Sequence, residues 1–302
     1  MVSTIKPPGP GWTLGLVTAL SLAAASAPAA AETASGAVRF VPHRAVYEIT
    51  LASTNAGSGV TDMQGRMVYE LTGSRCEGWT QNMRFATRMT NQDGGEQLND
   101  LVTSSWEEAG GSVLRFNQSQ SRDGKLIEIS QGDATRQPDG KKVDVALVKP
   151  LKKSLTLDAG IHFPVQHSMA LIAAAQAGKS VMTSDLYDGS EKGEKVYQTT
   201  AIIGAKILPG AKKSPVSLKG GAQLDTLASW PVSISYFEPG SAKTDAVPSY
   251  ELGFRFYENG VSSRLHIDYG EFSINGELTD LVFLEPTKCD ASTGLSRNGK
   301  AQ

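Results

Sequence analysis

Apolar and polar residues alternate with a period of two along most of this chain, which is the signature of half-buried strands. Tyr47, Ile49 and Leu51 share one face, and Met67, Tyr69 and Leu71 do the same in the next run. The longest run sets Trp79, Gln81, Met83, Phe85, Thr87 and Met89 against Thr80, Asn82, Arg84, Ala86, Arg88 and Thr90. One face is largely apolar and the other carries charge, as in an antiparallel sheet with one buried and one wet face. Strand patterns run from Phe40 to Lys153, resume from Ser180 to Ile207, and return from Val232 to Leu284. Asx-Gly signals at Asp93-Gly94, Asp123-Gly124, Asp139-Gly140, Asp188-Gly189 and Asn259-Gly260 predict hairpins between the strands. No self-similar period of about 20–50 residues occurs, so a propeller or solenoid is not indicated.

One stretch breaks the period. From Gly160 through Gly178 the chain is uncharged and reads as a helix, with Pro164 at its first position and Gly178 at its end. Val165, Met169 and Ile172 share one side, while Ala170, Leu171, Ala173, Ala174 and Ala175 fill most of the rest. A helix apolar nearly all round is buried on several sides. In a chain of strands its natural place is against the concave face of a curved sheet. The fold class that follows is mainly β: a long antiparallel sheet curled into an open barrel or clamp, with one apolar helix. The Pro-, Gly-, Lys- and Ser-rich connection 207–223 reads as a flexible exposed loop and a candidate flap, and the polar tail after Cys289 reads as disordered.

The first residues are excluded from this fold. Lys6, an apolar run beginning at Trp12, and Ala29 and Ala31 in A-x-A positions match a secretory signal peptide cut after Ala31. The expectation is a signal peptide at 1–31 and a single periplasmic domain at 32–302, with no lipobox cysteine at the cut. No other run reaches the roughly 20 apolar residues of a membrane helix, so none is expected in the mature chain. The formal net charge of −2 gives no basic footprint for nucleic acid. Cys76 and Cys289 are the two cysteines, and an even pair in an exported chain predicts one disulfide between them.

Candidate chemistry is sparse. Two of the four histidines, His162 and His167, are five apart with Pro164 between them, not the i, i+4 spacing of a zinc pair on a helix. Ser168 adjoins His167, so the two diverge by about 100° on a helix and do not form a nucleophile–base pair. His43 and His266 lie on predicted strands among aromatics and read as satisfied core histidines. Glu107-Glu108 beside Trp106 reads as a solvated turn, because strand neighbours face opposite sides. Asp158 is a candidate cap for the helix region, without an evident catalytic role. There is no P-loop or G-x-G-x-x-G fingerprint. No catalytic residue, metal or cofactor is therefore expected. The lysines 141, 142, 149, 152 and 153 read first as protection of an exposed sheet edge, and second as a contact for an anionic head group. The apolar strand face and the helix supply a candidate ligand-binding set: Met83, Phe85, Met89, Met169, Leu171 and Ile172. A curved sheet holds a ligand where its own side chains leave the concave side unfilled.

Several patterns taken together resemble a known family. These are His43-x-Ala45-x-Tyr47-x-x-x-Leu51, the Phe163-Pro164-x-x-His167 helix entry, the two cysteines, and the run from Gly270 to Leu278. The chain resembles the EipB-like periplasmic proteins of alphaproteobacteria from about His43 to Cys289. The resemblance implies a β-spiral, one internal disulfide through Cys76 and Cys289, a role in cell-envelope integrity, and a hydrophobic pocket that holds a lipid. It carries over no catalytic residues. The leading expectation is a non-catalytic envelope protein that binds a lipid, lipopeptide or other amphipathic ligand. The alternative is a scaffold with a filled core that docks other envelope proteins. A hydrolase of an envelope polymer comes last.

Overall fold

The structure, a computed structural model, describes residues 38–214, 218–238 and 246–289. The expected signal peptide and the tail beyond Cys289 lie outside the described residues. From His43 the chain runs as a meander of antiparallel neighbours: β1 (His43–Thr54), β2 (Val60–Ser74), β3 (Gly78–Asn91), β4 (Glu96–Glu107), β5 (Val113–Arg122), β6 (Lys125–Arg136), β7 (Lys142–Lys149) and β8 (Lys153–Asp158). The helix α1 (Pro164–Gln176) follows. A second meander comprises β9 (Val181–Leu186), β10 (Tyr197–Ile203), β11 (Ser229–Phe237), β12 (Tyr250–Tyr257), β13 (Ser262–Asp268) and β14 (Phe272–Phe283). β14 pairs with β1, so the two meanders join into one 14-stranded sheet whose edges are β8 and β9. That sheet is nearly closed as a barrel, and α1 lies in the segment joining its two edge strands.

The alternation sorts as the pattern predicts. Tyr47 and Ile49 are buried, and Leu51, Met67, Phe85 and Met89 pack against the same cluster. On the outer face Arg66 pairs with Glu48, Arg84 with Asp100 and Arg115 with Asp133, all well exposed. Such pairs add little stability, but they keep this face wet. Register shifts within β1–β14, β2–β3, β5–β6 and β6–β7 mark bulges, and bulges bend strands and increase twist. All five Asx-Gly signals lie between neighbouring strands, four in short turns and the fifth, Asp188-Gly189, in the longer 187–196 connection of β9 to β10.

Three clusters fill the interior. In the first, Val165, Leu171, Ile172, Ala174 and Ala175 of α1 pack with Tyr197, Trp230, Val232 and Ile234 of the second meander, and with Leu71 and Trp79 of the first. The helix is less enclosed than its composition suggests, since Ala173 and Gln176 are exposed. The second cluster joins β1, β13 and β14 to Leu218 and Leu224. Within the 207–223 connection residues 208–213 are exposed, as expected, while Leu218 turns inward and Leu224 follows it just beyond. Leu218 and Leu224 are 8 % and 1 % exposed, and Ile207 pairs with Ser229 and Lys219 with Asp280. The third cluster places Ile161, Phe163 and Tyr187 against Leu114, Phe116, Val143, Val145 and Leu147.

Candidate functional site

The inward face of the first meander is built in transverse rows set by the strand register. Phe85, Leu101, Gln120 and Glu128 follow one another across β3 to β6. The adjoining row from β2 is Tyr69, Met83, Thr103, Gln118 and Ser130. The next is Leu71, Gln81, Ser105 and Phe116. The first two rows pass from apolar or aromatic side chains on β2 and β3 toward amides, hydroxyls and a carboxylate on β4 to β6, while the third sets Gln81 and Ser105 between Leu71 and Phe116.

These rows wall a cavity of about 470 Å³. That is within the roughly 300–1,000 Å³ of small-molecule sites. Its far side is made by Pro164 at the start of α1, by Asp188, Ser190 and Glu191 of the 187–196 connection, and by Tyr197 and Tyr250. Tyr250 stacks on Tyr236 with ring centroids 4.3 Å apart, and Tyr197 meets Tyr250 edge-on at 6.1 Å. Burial pushes the Tyr69 phenol up to about 12, so it stays neutral and accepts a hydrogen bond from Gln81 Nε2 at 2.8 Å.

Gly189 fixes the acidic side of the cavity. Its φ is +76° and its Cα lies against the Phe116 ring, where a Cβ would collide. Its carbonyl accepts a hydrogen bond from the buried Ser130 hydroxyl at 2.6 Å. Asp188 Oδ1 then accepts the Ser190 N–H at 2.9 Å, and Glu191 Oε1 accepts from Lys195 Nζ and the Tyr197 hydroxyl at 2.9 and 2.7 Å. Among the described residues lining the cavity, the charged ones are Glu128, Asp188 and Glu191, with no lysine or arginine. The lysine run lies elsewhere, at the β7–β8 edge, where Lys142 pairs with Asp158 and Lys153 with Glu194. None of these lysines lines the cavity, and their place at the β7–β8 edge fits the edge-protecting role.

Of the ligand set read from the sequence, Met83 lines this cavity. Phe85 and Met89 pack against the second cluster, and Met169 packs against the first. Leu171 and Ile172 are 1 % and 0 % exposed within the first cluster. The structure therefore does not bring the six together. Pattern reading passed over Gln81, Thr103, Ser105, Gln118, Gln120, Glu128 and Asp188, together with Tyr69, Tyr197 and Tyr250. The readable signal was Gln81, a polar residue inside an apolar alternating face.

Beside the cavity lies a buried polar node. Glu107, at the end of β4, is 2 % exposed. Its carboxylate accepts the N–H groups of Val165 and Gln166 at 2.8 and 2.9 Å, caps the N-terminus of α1, and complements the positive end of its dipole. Burial pushes this carboxyl up to about 7, against the two N–H donors and nearby Arg136, which lower it. Arg136 donates to the carbonyls of Gly111, Ala159 and Ile161 at 2.9, 2.9 and 2.6 Å, and lies 4.9 Å over the Phe163 ring. This corrects the solvated-turn reading of Glu107-Glu108, which holds for the exposed Glu108 alone. It also removes the capping role from Asp158, which is exposed and pairs with Lys142.

His167 Nε2 lies 3.1 Å from Thr199 Oγ1, and that hydroxyl donates to the Ser184 carbonyl at 2.7 Å. The Thr199 oxygen therefore accepts from an Nε2–H, and His167 is not a base toward it. Burial holds His167 down to about 4. His43, 1 % exposed, bonds the Val41 carbonyl through Nδ1 at 2.7 Å. His266 is not a core histidine: it is exposed on β13 and pairs with Asn275 at 2.9 Å. Cys76, in the β2–β3 turn, is bonded to Cys289, with Cα atoms 5.6 Å apart.

Known proteins match this architecture. Residues 34–285 match the EipB-like family. The chain is 37 % identical over 269 residues to the cell envelope integrity protein EipB of Brucella abortus (strain 2308), covering 89 % of this chain and 92 % of that protein. It is also similar to the crystal structure of a beta-barrel-like protein of a domain of unknown function from Brucella abortus. That match has a TM-score of 0.74 and 36 % identity, and covers 82 % of this chain and all of the other. With its fold and its sequence in agreement, this chain belongs to the EipB-like family.

Proposed function

We propose that this chain is a non-catalytic periplasmic protein that supports cell-envelope integrity by holding an amphipathic ligand inside its curled sheet. The observation that carries the reading is the graded cavity. Its wall runs from Tyr69 and Met83 to Gln118, Gln120 and Glu128, so one end suits an acyl chain and the other a polar group. The envelope-integrity name of the Brucella relative supports the setting. No helix among the described residues is long and apolar enough to cross a membrane, which accords with a chain that meets lipid through a cavity. The hydrogen-bonded states of His167 and Glu107 support a structural use of these groups. Each buried methylene contributes about 0.8 kcal/mol, and ordering costs offset much of the sum, so micromolar affinity is expected. The test is titration of the folded chain with a fluorescent fatty-acid probe and competition by unlabelled lipid. Saturable, competable binding that weakens in Met83→Asp supports the reading, and its absence from the folded protein overturns it.

A further inference from the structure

The cavity wall carries more than amphipathicity. Resting on the cavity reading above, we propose that the polar part of the ligand is an uncharged glycosyl group and that the site rejects anionic head groups.

Three observations converge. First, amides and hydroxyls line the wall: Gln118 on β5 pairs with Thr103 on β4, Gln120 lies at the next inward position of β5, and Gln81 on β3 pairs with Ser105 on β4. An amide both donates and accepts, as does a sugar hydroxyl, whereas a phosphate oxygen only accepts. Phosphate sites are instead built from arginine, lysine or helix N–H groups. Here the N–H groups of Val165 and Gln166, at the start of α1, are already taken by Glu107. Second, the charge has the wrong sign for an anion. Glu128 and Asp188 line the cavity, no lysine or arginine does so among the described residues, and the nearby Lys195 is committed to Glu191 and Glu238. An anion would enter a partly desolvated space beside uncompensated carboxylates, where like charges repel far more strongly than in water. Third, Tyr250 is held flat by its stack on Tyr236. With Tyr197 edge-on to it and Tyr269 tilted at 6.3 Å, it forms a fixed aromatic group at the cavity wall, and aromatic side chains with polar tips suit the apolar edge of a pyranose ring.

The experiment uses three amphiphiles with the same alkyl chain, each below its micelle concentration: decyl glucoside, decyl phosphate and decyltrimethylammonium. They are titrated calorimetrically into the folded, disulfide-bonded protein. The glucoside should bind saturably, and the phosphate at least about tenfold more weakly. Gln118→Leu with Gln120→Leu should weaken the glucoside several-fold at an unchanged melting temperature. Glu128→Gln with Asp188→Asn should narrow the gap between glucoside and phosphate. Phosphate or ammonium binding as tight as the glucoside overturns the glycosyl assignment while leaving the cavity reading intact. Binding of none of the three overturns both. If the glutamine pair fails to fold, Thr103→Val provides the same readout with one hydroxyl removed.

Discussion

Glu107 and His167 are buried groups whose protons move in opposite senses on folding. The folded Glu107 keeps its proton up to about pH 7, against an ordinary value of 4.5. Its stabilising contribution is present below 4.5 and is lost as pH rises toward 7. The folded His167 stays neutral down to about 4, against 6.5. Its contribution is present above 6.5 and is lost as pH falls toward 4, and the lowered His43 and His162 act in the same direction. Each of the two large shifts is worth on the order of 3 kcal/mol at full extent. Denaturant unfolding between pH 4.5 and 6.5 should therefore show a steeper rise of stability with pH in Glu107→Gln than in the parent. His167→Gln should flatten or reverse the rise. Parallel curves for all three proteins would contradict this assignment. Strand alternation correctly sent Glu107 and Glu108 to opposite faces. It could not show that a helix N-terminus from residues 58 and 59 positions later would arrive at the inner one.

The helix and the 187–196 connection are the elements that close the cavity. Pro164 and the apolar run made α1 legible in the sequence. Its packed face was misjudged as a ligand wall because composition alone does not separate a side chain facing a void from one facing a neighbouring strand. Leu171→Ala should cost about 2–5 kcal/mol, as large-to-small core changes do, with ligand affinity preserved in the protein that remains folded. A charged residue at Leu171 or Ile172 should unfold the chain rather than remove binding selectively. Loss of probe binding at unchanged stability in Leu171→Ala would return this residue to the site. Gly189→Ala tests the connection. It places a side chain at positive φ against Phe116, and should cost about 1–3 kcal/mol while weakening probe binding, because Asp188 and Ser190 shift with it. An unchanged urea midpoint and affinity would contradict that role. The Asx-Gly pattern marked this turn but not its purpose, which depends on a ring in β5.

At the scale of the molecule, the strands, their faces and a curled sheet could be read from the sequence, but the pairing that joins the two meanders could not. That β14 pairs with β1, leaving β8 and β9 as the edges, is a relation between residues more than 200 apart, and local periodicity holds no trace of it. The cysteines were the one long-range signal. They tie the β2–β3 turn to the segment after β14 across 213 residues, for which the chain-entropy view gives about 5 kcal/mol. Replacing both with serine should lower the melting temperature without changing the far-ultraviolet dichroism of the folded state, and an unchanged melting temperature would contradict a stabilising bond. The graded wall was half visible. Thr103 and Ser105 alternate with Leu101 as inward residues should, yet polar inward positions read as interruptions until the register aligned them into rows.

The most direct test of the ligand-holding account is native mass spectrometry of the protein purified gently from its native cells, followed by extraction and identification of what it carries. The account predicts a discrete adduct with the mass of an amphiphile, lost in a folded Thr103→Trp variant whose indole fills the cavity. A parent protein that flies at the mass of the bare disulfide-bonded chain, with no extractable amphiphile, would contradict it.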